Sequence, residues 1–192
     1  MEKSLSGGDW VKIPLESGMW RFQGGNWKAT SDGCLEITSG SGNATAFASP
    51  ILGARYEIRC EVEVVSPGKD QAGVGVLLGE HGTGYYVVCG FKQNQGLDTL
   101  QASATDHWQS IDNRTTSVGA QETNTFLIQV VNNHATYHLN GIPVVEHWLG
   151  NDSPLNKTYS RIGLSARDLH PGTTVRIKNL EVRTMFDAPD GK

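Results

Sequence analysis

The sequence predicts an all-β chain folded as a two-sheet antiparallel sandwich. Three observations lead there. Apolar residues recur with period two along several runs, and no run has the spacing of an amphipathic helix. Glycine is abundant, at 23 of 192 residues, as short strands joined by tight turns require. Asn140-Gly141 separates two alternating runs, a hairpin signal in which both residues tolerate positive φ. The length suits one large sandwich. Residues 10–186 are read as a single domain, with 1–9 and 187–192 as tails.

Residues 20–27 read as one strand bent at Gly24-Gly25. A turn at Ser31-Asp32-Gly33 precedes Cys34-Leu35-Glu36-Ile37, and residues 44–49 form a short strand stopped by Pro50. Residues 55–65 alternate cleanly, with Tyr56, Ile58, Cys60, Val62 and Val64 on one face and Glu57, Arg59, Glu61 and Glu63 on the other. The first set belongs in the core and the second outside it. In Gly73-Val74-Gly75-Val76 glycine alternates with valine, which weakens a strand unless something approaches its backbone closely. A turn over 80–84 leads into residues 85–91. Residues 94–120 are polar and weakly patterned apart from Trp108, and read as one short strand and a long loop.

Residues 126–131 and 134–139 are strands joined by Asn132-Asn133. The turn at Asn140-Gly141 sets Leu139 against Ile142, Pro143 against His138, Tyr137 against Val144 and His134 against His147. Pro143 has no N–H for a further neighbour, so its strand belongs at a sheet edge. Residues 151–157 form a loop, and 161–166 and 174–183 are the last strands. In the final one Val175 and Ile177 lie in the opposite phase from Leu180 and Val182. A β-bulge near Lys178-Asn179 would bring all four to one face.

The net charge is −4 and Lys and Arg do not cluster, so neither a nucleic-acid backbone nor an anionic membrane surface is an expected partner. No stretch approaches the roughly 20 apolar residues of a membrane span. The opening MEKSLSGGDW lacks the apolar core of a signal peptide, as would a domain excised from behind its leader or anchor. Cys34, Cys60 and Cys89 are an odd number without metal-ligand spacing, read as buried free thiols, the alternative being one disulfide and one free thiol. No phosphate loop, dinucleotide motif or serine nucleophile elbow is present, and no cofactor is expected.

Several segments carry a resemblance to a known family. WRFQGGNWKATSDGCL, over 20–35, is similar to an opening strand followed by a Trp-x(n)-Asp-Gly-x-Leu turn. YEIRCEVEV and GVGVLL look like a central pair of strands, and GYYVV follows. HLNGIPV resembles a Leu-Asn-Gly hairpin, and IGLSA and VRIKNLEVR resemble closing strands. Together these resemble the concanavalin A-like lectin/glucanase superfamily, within it most closely the 3-keto-disaccharide hydrolase-like domains. The resemblance implies a jelly-roll sandwich and an extracytoplasmic setting. Fold alone does not imply activity.

Three sets of candidate residues emerge. Glu61 and Glu63 share a strand face with Glu57 and Arg59. Some glucanases of the superfamily carry Glu-x-Asp-x-x-Glu on one strand; here Glu63 stands in place of the Asp and Ser66 in place of the last Glu. Cα atoms two apart on a strand are about 6.5–7 Å apart, so Glu61 and Glu63 are the candidates for a retaining pair, which needs carboxyl groups about 5–5.5 Å apart. A ligand-bonding or merely solvated face is the alternative. Second, Tyr86 and Trp108 are candidates to stack on a sugar ring, with Gly73 and Gly75 making room and Arg59 bonding hydroxyls. One groove joining all of these to the Glu61/Glu63 face is expected. Third, His134 and His147, facing each other, are the metal candidates; exposed polar residues are the alternative. The leading reading is a non-catalytic carbohydrate-binding or interaction module of a larger protein, with a glycan as partner. A glycoside hydrolase and a structural domain without a small ligand are the alternatives.

Overall fold

In a computed structural model of the chain, the residues described are 5–16, 18–38, 44–48, 55–66, 73–78, 86–92, 96–104, 107–112, 123–131, 134–148, 162–167 and 174–187. The expected loops at 80–84, 132–133 and 151–157 lie outside them. The strands are β1 (Leu5–Gly7), β2 (Val11–Lys12), β3 (Trp20–Gln23), β4 (Asn26–Ala29), β5 (Leu35–Thr38), β6 (Ala44–Ala48), β7 (Arg55–Ser66) and β8 (Gly73–Leu78). They continue with β9 (Tyr86–Lys92), β10 (Gly96–Ala104), β11 (His107–Asp112), β12 (Thr123–Val131), β13 (His134–Leu139), β14 (Ile142–Trp148), β15 (Ile162–Arg167) and β16 (Thr174–Asp187). All pairings are antiparallel, in two sheets of a jelly-roll sandwich. A nine-stranded sheet runs β14-β13-β12-β7-β16-β5-β4, with β1 and β2 also on β16. A seven-stranded sheet runs β11-β10-β9-β8-β15-β6-β3.

The core of the nine-stranded sheet follows from alternation. Tyr56, Ile58, Cys60 and Val62 of β7 are buried between Phe126, Ile128 and Val130 of β12 and Val175, Ile177, Leu180 and Val182 of β16. The side chain of Val64 lies outside the described ones. β16 keeps Val175, Ile177, Leu180 and Val182 inside because its register against β7 shifts between Lys178 and Glu181, where Asn179 has φ +53°. The expected bulge is therefore present. It also marks a change of neighbour: up to Ile177 the other edge of β16 pairs with β5, and from Glu181 it pairs with β2 and then β1.

That second edge explains one correction. Residues 1–9 were expected to be a tail, but Leu5–Gly7 is a strand whose Leu5 pairs with Asp187, and the Gly8 amide donates to the Thr184 carbonyl. β5 ends short of this part of β16, whose backbone groups need partners. Residues 20–27 form two strands rather than one bent strand, because Gly24 and Gly25 both adopt positive φ and send β3 and β4 to different sheets. Residues 94–120 hold two strands, β10 and β11. Their pattern was hidden by a shift between Leu97 and Thr99 that takes Leu97 and Leu100 out of simple period two.

Two local motifs fold as read. Gly33 adopts φ +77° in the turn between β4 and β5, leaving Leu35 fully buried. At the hairpin Asn140 and Gly141 have φ +51° and +80°, and Leu139 pairs with Ile142. Asn140 does more than turn: its side-chain oxygen accepts from the Thr125 amide and its Nδ2 donates to the buried Asn124.

A Cβ on Gly141 would meet nothing within 4 Å, so substitution there tests backbone strain alone. Gly141→Val should cost about 1–2 kcal/mol, read as a lower melting temperature. Ile58→Ala, which opens a cavity under β7, should cost about 2–5 kcal/mol in denaturant unfolding. An unchanged unfolding curve for either would contradict the corresponding placement.

Candidate functional site

The two sheets present chemically different outer faces. On the nine-stranded sheet, the polar phase of β7 meets the polar phase of β16 residue for residue. Glu57 is opposite Arg183, Arg59 opposite Glu181, Glu61 opposite Lys178 and Glu63 opposite Arg176. Every opposed pair has opposite charges, the arrangement that stabilises directly facing residues. The contacts follow the register. Arg183 and Arg59 bind Glu57 and Glu181 through their Nε atoms; Lys178 Nζ lies 3.3 Å from Glu63 and 4.0 Å from Glu61. Arg176 turns to its other neighbour instead, binding Glu36, its register partner on β5, at 3.2 Å.

Glu57, Arg59, Glu61 and Glu63 all occupy the outward phase as expected, but Glu57 is only 2% exposed rather than solvated. The Gln129 amide and the Arg183 guanidinium both donate to its carboxylate. Trp10 adds to this cover, with Arg59 and Arg183 lying 4.1 and 4.5 Å from its ring centroid.

The bulge in β16 opens a depression of about 350 Å³ in this face, lined by Arg59, Cys60, Glu61, Thr125, Asn179 and Glu181. Its polar groups are already matched to one another: Asn179 Nδ2 donates to Glu61 at 3.0 Å, and Arg59 holds Glu181. Sequence reasoning missed the part played by Asn179 and Glu181, although the phase change along β16 located the bulge that brings them there.

The outer face of the seven-stranded sheet follows from its register. Leu164 of β15 is fully buried, and its row runs through Ala46, Val76, Cys89 and Leu100. Rows one residue away belong to the opposite face. One such row is Tyr86, Ser103 and Trp108: Ser103 pairs with Tyr86 on one side and Trp108 on the other. The next joins Ser110, Gln101, Val88, Leu77, Gly163, Phe47 and Arg21. A third joins Thr99, Gly90, Gly75, Ser165 and Thr45. A fourth joins Gly96, Lys92, Gly73 and Arg167. Small residues thus form the third row, separated from the aromatic row by one that holds Gln101, Val88, Leu77 and Phe47.

Tyr86, Trp108, Gly73 and Gly75 therefore share one face, with the side chains of Tyr86 and Trp108 outside the described ones. Arg59, Glu61 and Glu63 belong to the other sheet, and the single groove expected to join the two sets does not form. β7 and β8 are sequential but lie in different sheets rather than side by side, since the chain crosses the sandwich between them.

The histidine pair is also corrected. The ladder between β13 and β14 shifts between Tyr137 and His138, leaving Val144 extra, so His134 pairs with Trp148 and His147 with Ala135. Pro143 does face His138 on the edge strand β14, and its missing N–H weakens a regular ladder there. His134 and His147 fall in opposite phases, and no cluster of three metal-ligating side chains occurs among the described residues. Cys34 and Cys60 are buried free thiols. Burial, with the nearby Glu61 charge second, pushes the Cys60 thiol up to about 12; burial also raises Cys34.

No protein-family profile matches the sequence. No curated protein matches it either. Solved structures do match in fold. The carbohydrate-binding module CBM66 from Bacillus subtilis aligns with a TM-score of 0.68 at 15% identity, over 89% of this chain and 100% of that one. A candidate glycosyl hydrolase from Parabacteroides distasonis aligns with a TM-score of 0.58 at 14% identity, over 92% and 100%. The exoplasmic/lumenal domain of VIP36, in its Ca2+/Man-bound form, aligns with a TM-score of 0.63 at 12% identity, over 95% and 91%. The concanavalin A-like jelly roll is thus the fold of this chain.

The cover over Glu57 makes a prediction. Arg183→Met leaves a buried carboxylate with Gln129 alone and should cost about 2–3 kcal/mol. Adding Glu57→Gln should recover most of that loss, because the remaining group is neutral. Equal unfolding midpoints for the single and double variants would show that the pair is not coupled.

Proposed function

We propose that this chain is a non-catalytic carbohydrate-binding module whose glycan lies across the outer face of the seven-stranded sheet. The observation that carries the reading is the row Tyr86–Ser103–Trp108, which sets two aromatic residues two strand spacings apart, about 9.5 Å. Sugar rings stack their apolar faces on aromatic rings and need polar partners for their hydroxyls. Ser103, Gln101, Ser110, Thr99, Ser165 and Thr45 supply such partners in the same rows. The glycine positions between them keep the floor low. CBM66 and VIP36, which share the fold, are described by their names or bound states as carbohydrate binders.

The second reading is a glycoside-cleaving enzyme using Glu61 and Glu63. One observation favours it: Glu61 and Glu181 line the same depression. Against it, Glu61 is bound by Asn179, and Lys178 neutralises both Glu61 and Glu63. Both carboxylates are thus already engaged by neighbouring side chains of the same face.

Calorimetric titration with a panel of oligosaccharides separates these readings. Trp108→Ala and Tyr86→Ala should each abolish binding at an unchanged melting temperature, whereas Glu61→Gln and Glu63→Gln should leave binding intact. Turnover of a bound glycan, lost in Glu61→Gln or Glu63→Gln, would replace the binding module with the enzyme.

A further inference from the structure

We infer that the glycan held by the seven-stranded sheet is anionic, with its charged group between Lys92 and Arg167. The inference rests on the sheet being the glycan site and adds the class of ligand. Lys92 of β9 and Arg167 of β15 both register against Gly73, one on each side. Two cationic residues therefore flank a position that has no side chain, about 9.5 Å apart across the sheet.

The contrast with the other sheet gives the placement its meaning. Across β7 and β16, Arg59, Arg176, Lys178 and Arg183 are each registered against a carboxylate. On the seven-stranded sheet Lys92 and Arg167 are registered against glycine, and Arg21 against Phe47. The described strand positions of the seven-stranded sheet carry Arg21, Lys92 and Arg167 against only Asp98 and Asp112. Asp98 occupies the irregularity between Leu97 and Thr99, and Asp112 pairs with Leu100 in the core phase. Among those described strand positions cations therefore outnumber carboxylates by one, in a chain of net charge −4. Arginine and lysine each suit a carboxylate or sulfate, since charge-assisted hydrogen bonds are the stronger ones and Arg binds such groups in a fork.

The spacing also sets a length. Tyr86 and Lys92 stand six residues apart on β9, about 20 Å along the strand. One sugar ring cannot touch both ends, so the ligand is an oligosaccharide. An uncharged unit lies over the aromatic row and a charged unit lies at the Gly73 end. Nucleic acid is disfavoured because the cations end a glycine- and hydroxyl-lined band and do not track along it.

The test is titration of the full chain with an oligogalacturonide, its methyl ester, a sulfated oligosaccharide of similar length and a single-stranded oligonucleotide. The free acid should bind about tenfold or more tighter than the ester, with an affinity that falls as salt rises. Lys92→Gln and Arg167→Gln should each narrow that gap, and together close it, while leaving ester binding and the melting temperature unchanged. Lys178→Gln, on the opposite sheet, should change nothing. Preference for the sulfated probe with the same dependence on Lys92 and Arg167 supports the anionic class and changes only the group. Equal, Trp108-dependent binding of acid and ester overturns the anionic inference and leaves the binding module standing. Binding of the oligonucleotide as tight as that of the acid also overturns it. Failure of every glycan to bind removes the module reading itself.

Discussion

The pairing of β7 with β16 is the constraint on which the nine-stranded sheet depends. Two requirements act on it at once. Tyr56, Ile58, Cys60 and Val62 must face Val175, Ile177, Leu180 and Val182 across the core side. On the other side Glu57, Arg59, Glu61 and Glu63 must meet Arg183, Glu181, Lys178 and Arg176. Without an extra residue near Asn179, either the lower or the upper half of β16 would be inverted, placing Leu180 and Val182 outside and Glu181 and Arg183 in the core. The bulge satisfies both halves together. The cost is a non-glycine residue at positive φ, offset in part by the hydrogen bond from Asn179 to Glu61.

That solution also leaves the charges opposed across β7 and β16 already paired on the outer face. Where opposite charges are already in register, a sugar hydroxyl must displace an ion pair before it gains a hydrogen bond. The outer face of the nine-stranded sheet is of this kind, and Trp10 and Arg183 cover part of it further. The outer-phase rows of the seven-stranded sheet place Gly90, Gly75, Ser165 and Thr45 next to Gln101, Val88, Leu77 and Phe47, with Tyr86 and Trp108 in the row at one end.

How much of this was legible in the sequence depended on whether period two ran unbroken. β7 could be read in full, because ten consecutive positions alternate without interruption. The Asn140-Gly141 turn and the bulge in β16 were legible for related reasons: positive φ restricts residue choice in the first, and a phase slip of apolar residues reveals the second. Only one of the two strands within 94–120 was read, because the irregularity at Asp98 breaks the phase of β10, whose remaining residues are mostly small and polar. The His134–His147 pairing failed for the same cause, an extra residue at Val144 that a regular ladder does not contain. Sheet membership was the larger gap. Nothing in the alternation of β7 or β8 states whether sequential strands lie side by side or across the sandwich, so Glu61 and Trp108 were assigned to one groove when they belong to different sheets.

The strand formed by residues 5–7 has a mechanical consequence. Leu5 pairs antiparallel with Asp187, so the chain enters and leaves the sheet at neighbouring points. Tension applied through these two points loads the β1–β16 ladder one hydrogen-bonded pair at a time, like a zipper, rather than shearing all pairs together. The first pairs to part are those at residues 5–7, and next comes the stretch that holds Trp10 over Arg59 and Arg183. Stretching would therefore uncover Glu57 and its neighbours on the nine-stranded sheet while the seven-stranded sheet, which contains neither β1 nor β16, kept its shape.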